Sequence, residues 1–171
     1  VELGIDAIVC DHHTMPAELP TSAILIHPLV PGETFPNKFL CGTGVAFKLA
    51  SALIQEARTR GAAFPDGHEK WLLDLVGIAT LSDMVSLTGE NRVFAHYGLT
   101  VLRRTQRKGL RRLFSKLKLS QPHLTEDDIA FMITPRINAA SRMGVPMDAF
   151  DLLAAEDDIA AAASADHLDA I

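Results

Sequence analysis

The chain has 171 residues, 48% of them hydrophobic and 22% charged, a normal globular balance with room for one sizeable core or slightly more than one domain. Its net charge of −5 excludes indiscriminate binding of polyanions by the whole molecule, so any nucleic-acid contact must come from a local patch. The two cysteines, Cys10 and Cys41, form neither a Cys-x-x-Cys pair nor a zinc-finger spacing, no apolar run approaches the ~18 residues of a membrane span, and no signal peptide is visible; reduced thiols and a cytoplasmic setting are expected.

In chain order, Ile5 to Cys10 is a short, partly β-branched apolar run and reads as a buried parallel strand that stops at Asp11-His12-His13. Ser22 to Ile26 reads as a second strand, closed by His27-Pro28 and followed by a Pro/Gly-rich loop from Pro31 to Pro36. From Gly44 the period becomes helical, with Val45, Leu49, Ala52 and Leu53 on one face to about Arg58. Trp71, Leu72, Leu75, Ile78 and Ala79 mark a second, buried helix ending near Asp83. Val93 to Leu102 marks a third, and Leu110 to Leu117 a fourth after a break at Gly109. Thr125 reads as an N-cap for Ile129 to Ile133, Asp148 as the cap of a short helix to Ala155, and the alanine-rich stretch from Ile159 to Ile171 as a final helix. The fold class is α/β. Two parallel strands do not make a stable covered sheet, so further strands are expected upstream of Val1.

Five clusters are candidates for chemistry. Asp11-His12-His13 places three metal ligands or proton carriers at a strand end, where ligand sites of open α/β sheets form; an exposed polar turn is the bland alternative. Asp83, at the end of an apolar helical stretch, must be paired, neutralised, metal-bound or turned to solvent. Pro135-Arg136-Ile137-Asn138-Ala139-Ala140-Ser141-Arg142 sets two arginines and an asparagine among small residues, a composition suited to phosphate oxygens and equally to a surface connection. Cys41-Gly42-Thr43-Gly44 opens a helix, and close helix packing explains its glycines better than phosphate binding. Arg103, Arg104, Arg107, Lys108, Arg111, Arg112, Lys116 and Lys118 hold half of the 16 Lys+Arg and form either a nucleic-acid track or a solvated helix face.

Taken in order, the strand into Asp11-His12-His13, the stretch Leu40 to Leu49, the helix ending Ile78 to Val85, and Pro135 to Gly144 resemble the RecJ branch of the DHH phosphoesterases. The resemblance implies an α/β catalytic domain, partial over residues 1–145 and without its N-terminal strands, then a helical linker over 146–171 towards a C-terminal substrate domain. It implies that His12, Asp83 and Asp11 ligate or orient a pair of divalent ions, Mn²⁺ or Mg²⁺, and that His13 faces the scissile phosphate. Arg136, Asn138 and Arg142 would contact phosphate or the strand. The implied reaction is metal-dependent hydrolysis of single-stranded DNA from a 5′ end, in DNA repair and recombination, with a single-strand-binding protein or a helicase as accessory partner.

The family's Asp-x-Asp motif and its glycine- and histidine-rich domain are not in these residues, so the isolated chain is expected to have little activity. Ser141 stands where a glycine is usual, and His27-Pro28 where Asn-Pro is common. Two alternatives stay open: another hydrolase of the family, acting on short oligonucleotides, cyclic dinucleotides or pyrophosphate, and a non-catalytic scaffold of the same fold that binds DNA or replication proteins.

Overall fold

The computed structural model describes residues 4–171 and divides the chain into two compact units, one ending at His96 and one running from Tyr97 to Ile171. In the first, β1 (Ala7–Cys10) and β2 (Ala23–Ile26) pair in parallel with Ala7 opposite Ala23 and Cys10 opposite Ile26. Helix α1 (Gly42–Thr59) follows the Pro/Gly loop. A tight 3₁₀ turn, His68–Leu72, leads into α2 (Leu73–Ser82), and α3 (Gly89–Leu102) carries the chain onward. The core of this unit is Leu40, Val45, Val76 and Phe94, with Cys10, Ile26, Phe35, Phe47 and Leu73 packed on it. The Sγ of Cys41 caps α1 by accepting from the Gly44 N–H at 3.4 Å, and lies 3.6 Å from the Thr80 hydroxyl on α2.

The expected burial of β1 does not hold. Ile8 is 55% exposed and Val9 40%, and Ile24 beside them on β2 is 61% exposed. The cause is geometric: among the described residues each strand has one neighbour, and only Cys10 and Ile26 reach the core. Ile5 and Asp6, read as strand, lie outside it.

The second unit is helical: α4 (Lys108–Lys116), α5 (Thr134–Arg142), α6 (Pro146–Ala154) and α7 (Asp158–Ala170). Helix α4 packs on α6 and α7, and α5 on α6 and α7. Leu110, Leu113, Phe114, Leu124, Ile129, Ile133, Leu152 and Leu168 are at most 1% exposed and form the interior. The break before α4 falls ahead of Lys108, not at Gly109. Gly109 sits inside the helix because a Cβ there would lie 1.7 Å from the Leu152 carbonyl oxygen of α6. Thr125 and Asp128 cap each other: the Asp128 N–H donates to the Thr125 hydroxyl, and both Thr125 donors reach the Asp128 carboxylate. The backbone then widens into a π turn over Asp128–Ile133. The widening accommodates Pro135, which has no N–H to donate and would crowd a carbonyl of a regular preceding turn. Asp148 is not the cap of α6, which begins after Val145; its carboxylate meets His167 Nε2 of α7 at 2.7 Å. Asp157 caps α7 through the N–H groups of Ile159 and Ala160. No described helix is long and apolar enough to cross a membrane.

Candidate functional site

The end of β1 is built by its neighbour strand. The Asp11 N–H continues the ladder by donating to the Ile26 carbonyl at 3.2 Å, and the backbone then turns out through His12 and His13. One oxygen of Asp11 organises that turn. It accepts from the His12 N–H at 2.8 Å and lies 2.7 Å from His13 Nδ1. The His13 ring first, and then the His12 N–H, hold the Asp11 carboxyl down to about 2, well below its ordinary value of 3.8. Asp11 is therefore a fixed carboxylate at neutral pH, and the Nε2 edge of the largely exposed His13 ring is left for another partner. The His12 and His13 rings sit with centroids 4.5 Å apart and planes tilted by 47°.

His12 turns the other way. Its Nε2 lies 3.5 Å from Asp83 Oδ2, and its side chain is 18% exposed against 38% for Asp83. Asp83 is the C-cap of α2, with its N–H on the Ala79 carbonyl. Met84 follows in the left-handed region at φ 56°, a conformation normally given to glycine at a helix end. Gly42, at the start of α1, lies against the His12 ring: a Cβ there would lie 3.3 Å from His12 Cδ2. Asn91 ties the approaches together. It is fully buried and donates to the carbonyls of Phe39, just before α1, and Ser86, just after Asp83.

The structure thus brings His12 to Asp83 and, on the other side of the same turn, His13 to Asp11. Helix α5 belongs to the second unit. There Arg136 points at α7, with Nε 3.3 Å from Asp169 and one terminal nitrogen 3.0 Å from the Met132 carbonyl. Asn138 and Arg142 are four residues apart and share a different side of α5, half-buried and exposed respectively. Much of the basic stripe is internally paired. Lys108 and Arg112 both reach Asp158, at 3.3 and 3.1 Å, Lys116 reaches Asp166 at 2.6 Å, and Arg103 donates to the Leu124 carbonyl. This favours the solvated, salt-bridged face over a nucleic-acid track. Sequence reasoning missed His27 and Gly42 as shapers of the triplet. Only the strand closure at His27-Pro28 and the glycine run hinted at them.

An imidazole nitrogen and a carboxylate oxygen 3.5 Å apart suit a single divalent ion, which sits about 2.0–2.2 Å from such ligands. The pair is a partial ligand set: among the described residues no three His, Cys, Asp or Glu side chains gather to hold a metal.

No protein-family model matches the chain. It is 43% identical over 171 residues to the single-stranded-DNA-specific exonuclease RecJ of Bacillus subtilis, covering 98% of this chain and 20% of that protein. To the protein of the same name from Escherichia coli it is 36% identical over 148 residues, covering 82% of this chain and 25% of the other. A crystal structure of exonuclease RecJ bound to manganese matches with a TM-score of 0.80 at 33% identity, over 99% of this chain and 40% of that one. RecJ from Thermus thermophilus in complex with Mg²⁺ matches with a TM-score of 0.76 at 32% identity, over 98% of this chain and 24% of that one. The chain therefore spans about a fifth to a quarter of the length of these curated relatives. Sequence and backbone agree along nearly all of it, and over that span the chain is similar to proteins named RecJ.

Proposed function

We propose that the chain is the central span of a metal-dependent phosphodiesterase that removes nucleotides from the 5′ end of single-stranded DNA, as in DNA repair and recombination. The observation that carries this reading is the pairing of His12, at a strand end, with Asp83, at a helix end, across one ion-sized gap, with Asp11 holding the neighbouring His13 ring. The likeness to proteins named single-stranded-DNA-specific exonucleases, and to structures holding Mn²⁺ and Mg²⁺, supports the same reading. Residues 1–145 would form part of the catalytic domain. Residues 146–171 would lead on towards a substrate domain.

In this reading His12 Nε2 and Asp83 Oδ2 are ligands of Mn²⁺ or Mg²⁺. The bound ions would supply an activated water and stabilise the leaving oxygen. Asp11 acts through His13: its carboxylate occupies Nδ1 and directs Nε2 towards the scissile phosphate. Asn138 and Arg142 would serve as strand contacts, as would Arg136, whose Nε is held by Asp169. Single-strand-binding protein or a helicase is the partner such an enzyme would work with.

The test is Mn²⁺ titration calorimetry on the intact protein, His12→Ala and Asp83→Ala, each followed by digestion of 5′-labelled single-stranded DNA. Both substitutions are expected to weaken metal binding and stop digestion. An unmutated protein that binds no Mn²⁺ and leaves the DNA intact would refute the reading.

A further inference from the structure

His27 is a buried histidine, 7% exposed, that the mechanism above does not use. Both of its ring nitrogens are committed to backbone. The Leu29 N–H donates to Nδ1 at 3.0 Å, which fixes Nδ1 as an acceptor and places the ring proton on Nε2. Nε2 then donates to the His13 carbonyl at 2.9 Å, across 14 residues of sequence. A histidine that only stabilised its own turn would need the first of these bonds and not the second.

The two bonds complete a clamp. Ile26 holds the entry of the triplet through the Asp11 N–H, and the next residue, His27, holds its exit through the His13 carbonyl. Between these two anchors, Asp11 fixes the His13 ring and Gly42 leaves room for the His12 ring to face Asp83. With the exit released, the Asp11 N–H contact alone would not fix the direction in which His12 and His13 leave the strand.

We propose that His27 is the positioning residue of the Asp11–His12–His13 turn, setting the aim of His12 and His13 through the His13 carbonyl. Its consequence for metal affinity rests on the function proposed above. The clamp itself does not.

The experiment compares the intact protein with H27Q and H27L. Glutamine places an amide nitrogen near the position of Nε2 and keeps the bond to His13. Leucine fills similar space without a donor. Mn²⁺ affinity by calorimetry is expected within about threefold of the parent for H27Q and at least about tenfold weaker for H27L, the range seen when a group supporting a metal ligand is lost. H27L binding Mn²⁺ as tightly as the parent overturns the proposal. Imidazole ¹⁵N spectra of the parent decide the question even if H27L fails to fold: a His27 proton on Nε2 supports the clamp, and one on Nδ1 overturns it. If the parent binds no Mn²⁺, the metal reading falls by itself. Positioning is then read from the His13 ring ¹⁵N shifts, expected to hold in H27Q and to move in H27L; shifts unmoved in both overturn it.

Discussion

Gly109 offers a test in which two familiar rules oppose each other. Replacing glycine by alanine in a helix interior stabilises by about 0.8–1.0 kcal/mol, and less in the first turn, where Gly109 lies in α4. The packing acts against this. A Cβ at Gly109 would stand 1.7 Å from the Leu152 carbonyl oxygen and 2.7 Å from the carbonyl carbon. Contact distance is near 3.5 Å, so α4 and α6 must separate locally by roughly 1.5 Å or more. Both are backbone, so no side-chain rotation relieves the clash. Separation would also loosen Leu110, Leu113 and Leu152, none of which is exposed at all. Overpacking of a tight core costs about 1–3 kcal/mol, occasionally more, and this contact belongs at the upper end. Gly109→Ala is therefore expected to destabilise by about 2 kcal/mol or more, a fall of at least about 4 °C in thermal midpoint for a chain of this size. Circular dichroism melts of the 171-residue chain would measure it. An unchanged or raised midpoint would mean that α4 and α6 do not approach through Gly109 and that their packing against each other is wrong.

The Asp11 carboxyl should titrate near 2 by ¹³C NMR in the unmutated protein and return towards 3.8 in His13→Ala, because the His13 ring is the largest cause of its depression. Since the folded value lies below the unfolded one, Asp11 contributes stability above about pH 4 and loses it as pH falls towards 2; a midpoint that ignores the His13 substitution would break the Asp11–His13 contact. Asn91→Asp replaces two buried donors with an acceptor facing the Phe39 and Ser86 carbonyls, and should cost about 3 kcal/mol or more in urea unfolding; a loss below about 1 kcal/mol would count against the bridge. Arg103→Met leaves the Leu124 carbonyl without its guanidinium partner and should cost about 1–3 kcal/mol by the same assay, whereas a neutral result would make Arg103 an ordinary surface cation.

What the sequence alone determined was local and periodic. Helix α1 was legible from Val45, Leu49 and Leu53, and α7 from its alanine run, because neighbours three and four residues apart encode a helical face without reference to the rest of the chain. The polar triplet was legible as a strand end, and Asp83 as a helix end, because each breaks an apolar run abruptly. The meeting of His12 with Asp83 was expected from the family resemblance alone. No local rule could give it, since it depends on how β1 and α2 come to lie beside each other through Leu40, Val45 and Val76.

Other features were decided only by tertiary packing. The apolar face of β1 reads as buried, yet burial belongs to whatever covers a strand and not to the strand itself. The basic stripe reads as free charge until α7 brings Asp158, Asp166 and Asp169 against it. Gly109 reads as a helix breaker until the Leu152 carbonyl, packed against its Cα, makes any side chain there costly. His27 reads as the polar end of a strand until the fold sets its ring between Leu29 and His13. In each case the deciding partner is distant in sequence, and its position is fixed by the shape of a core that no window of neighbouring residues encodes.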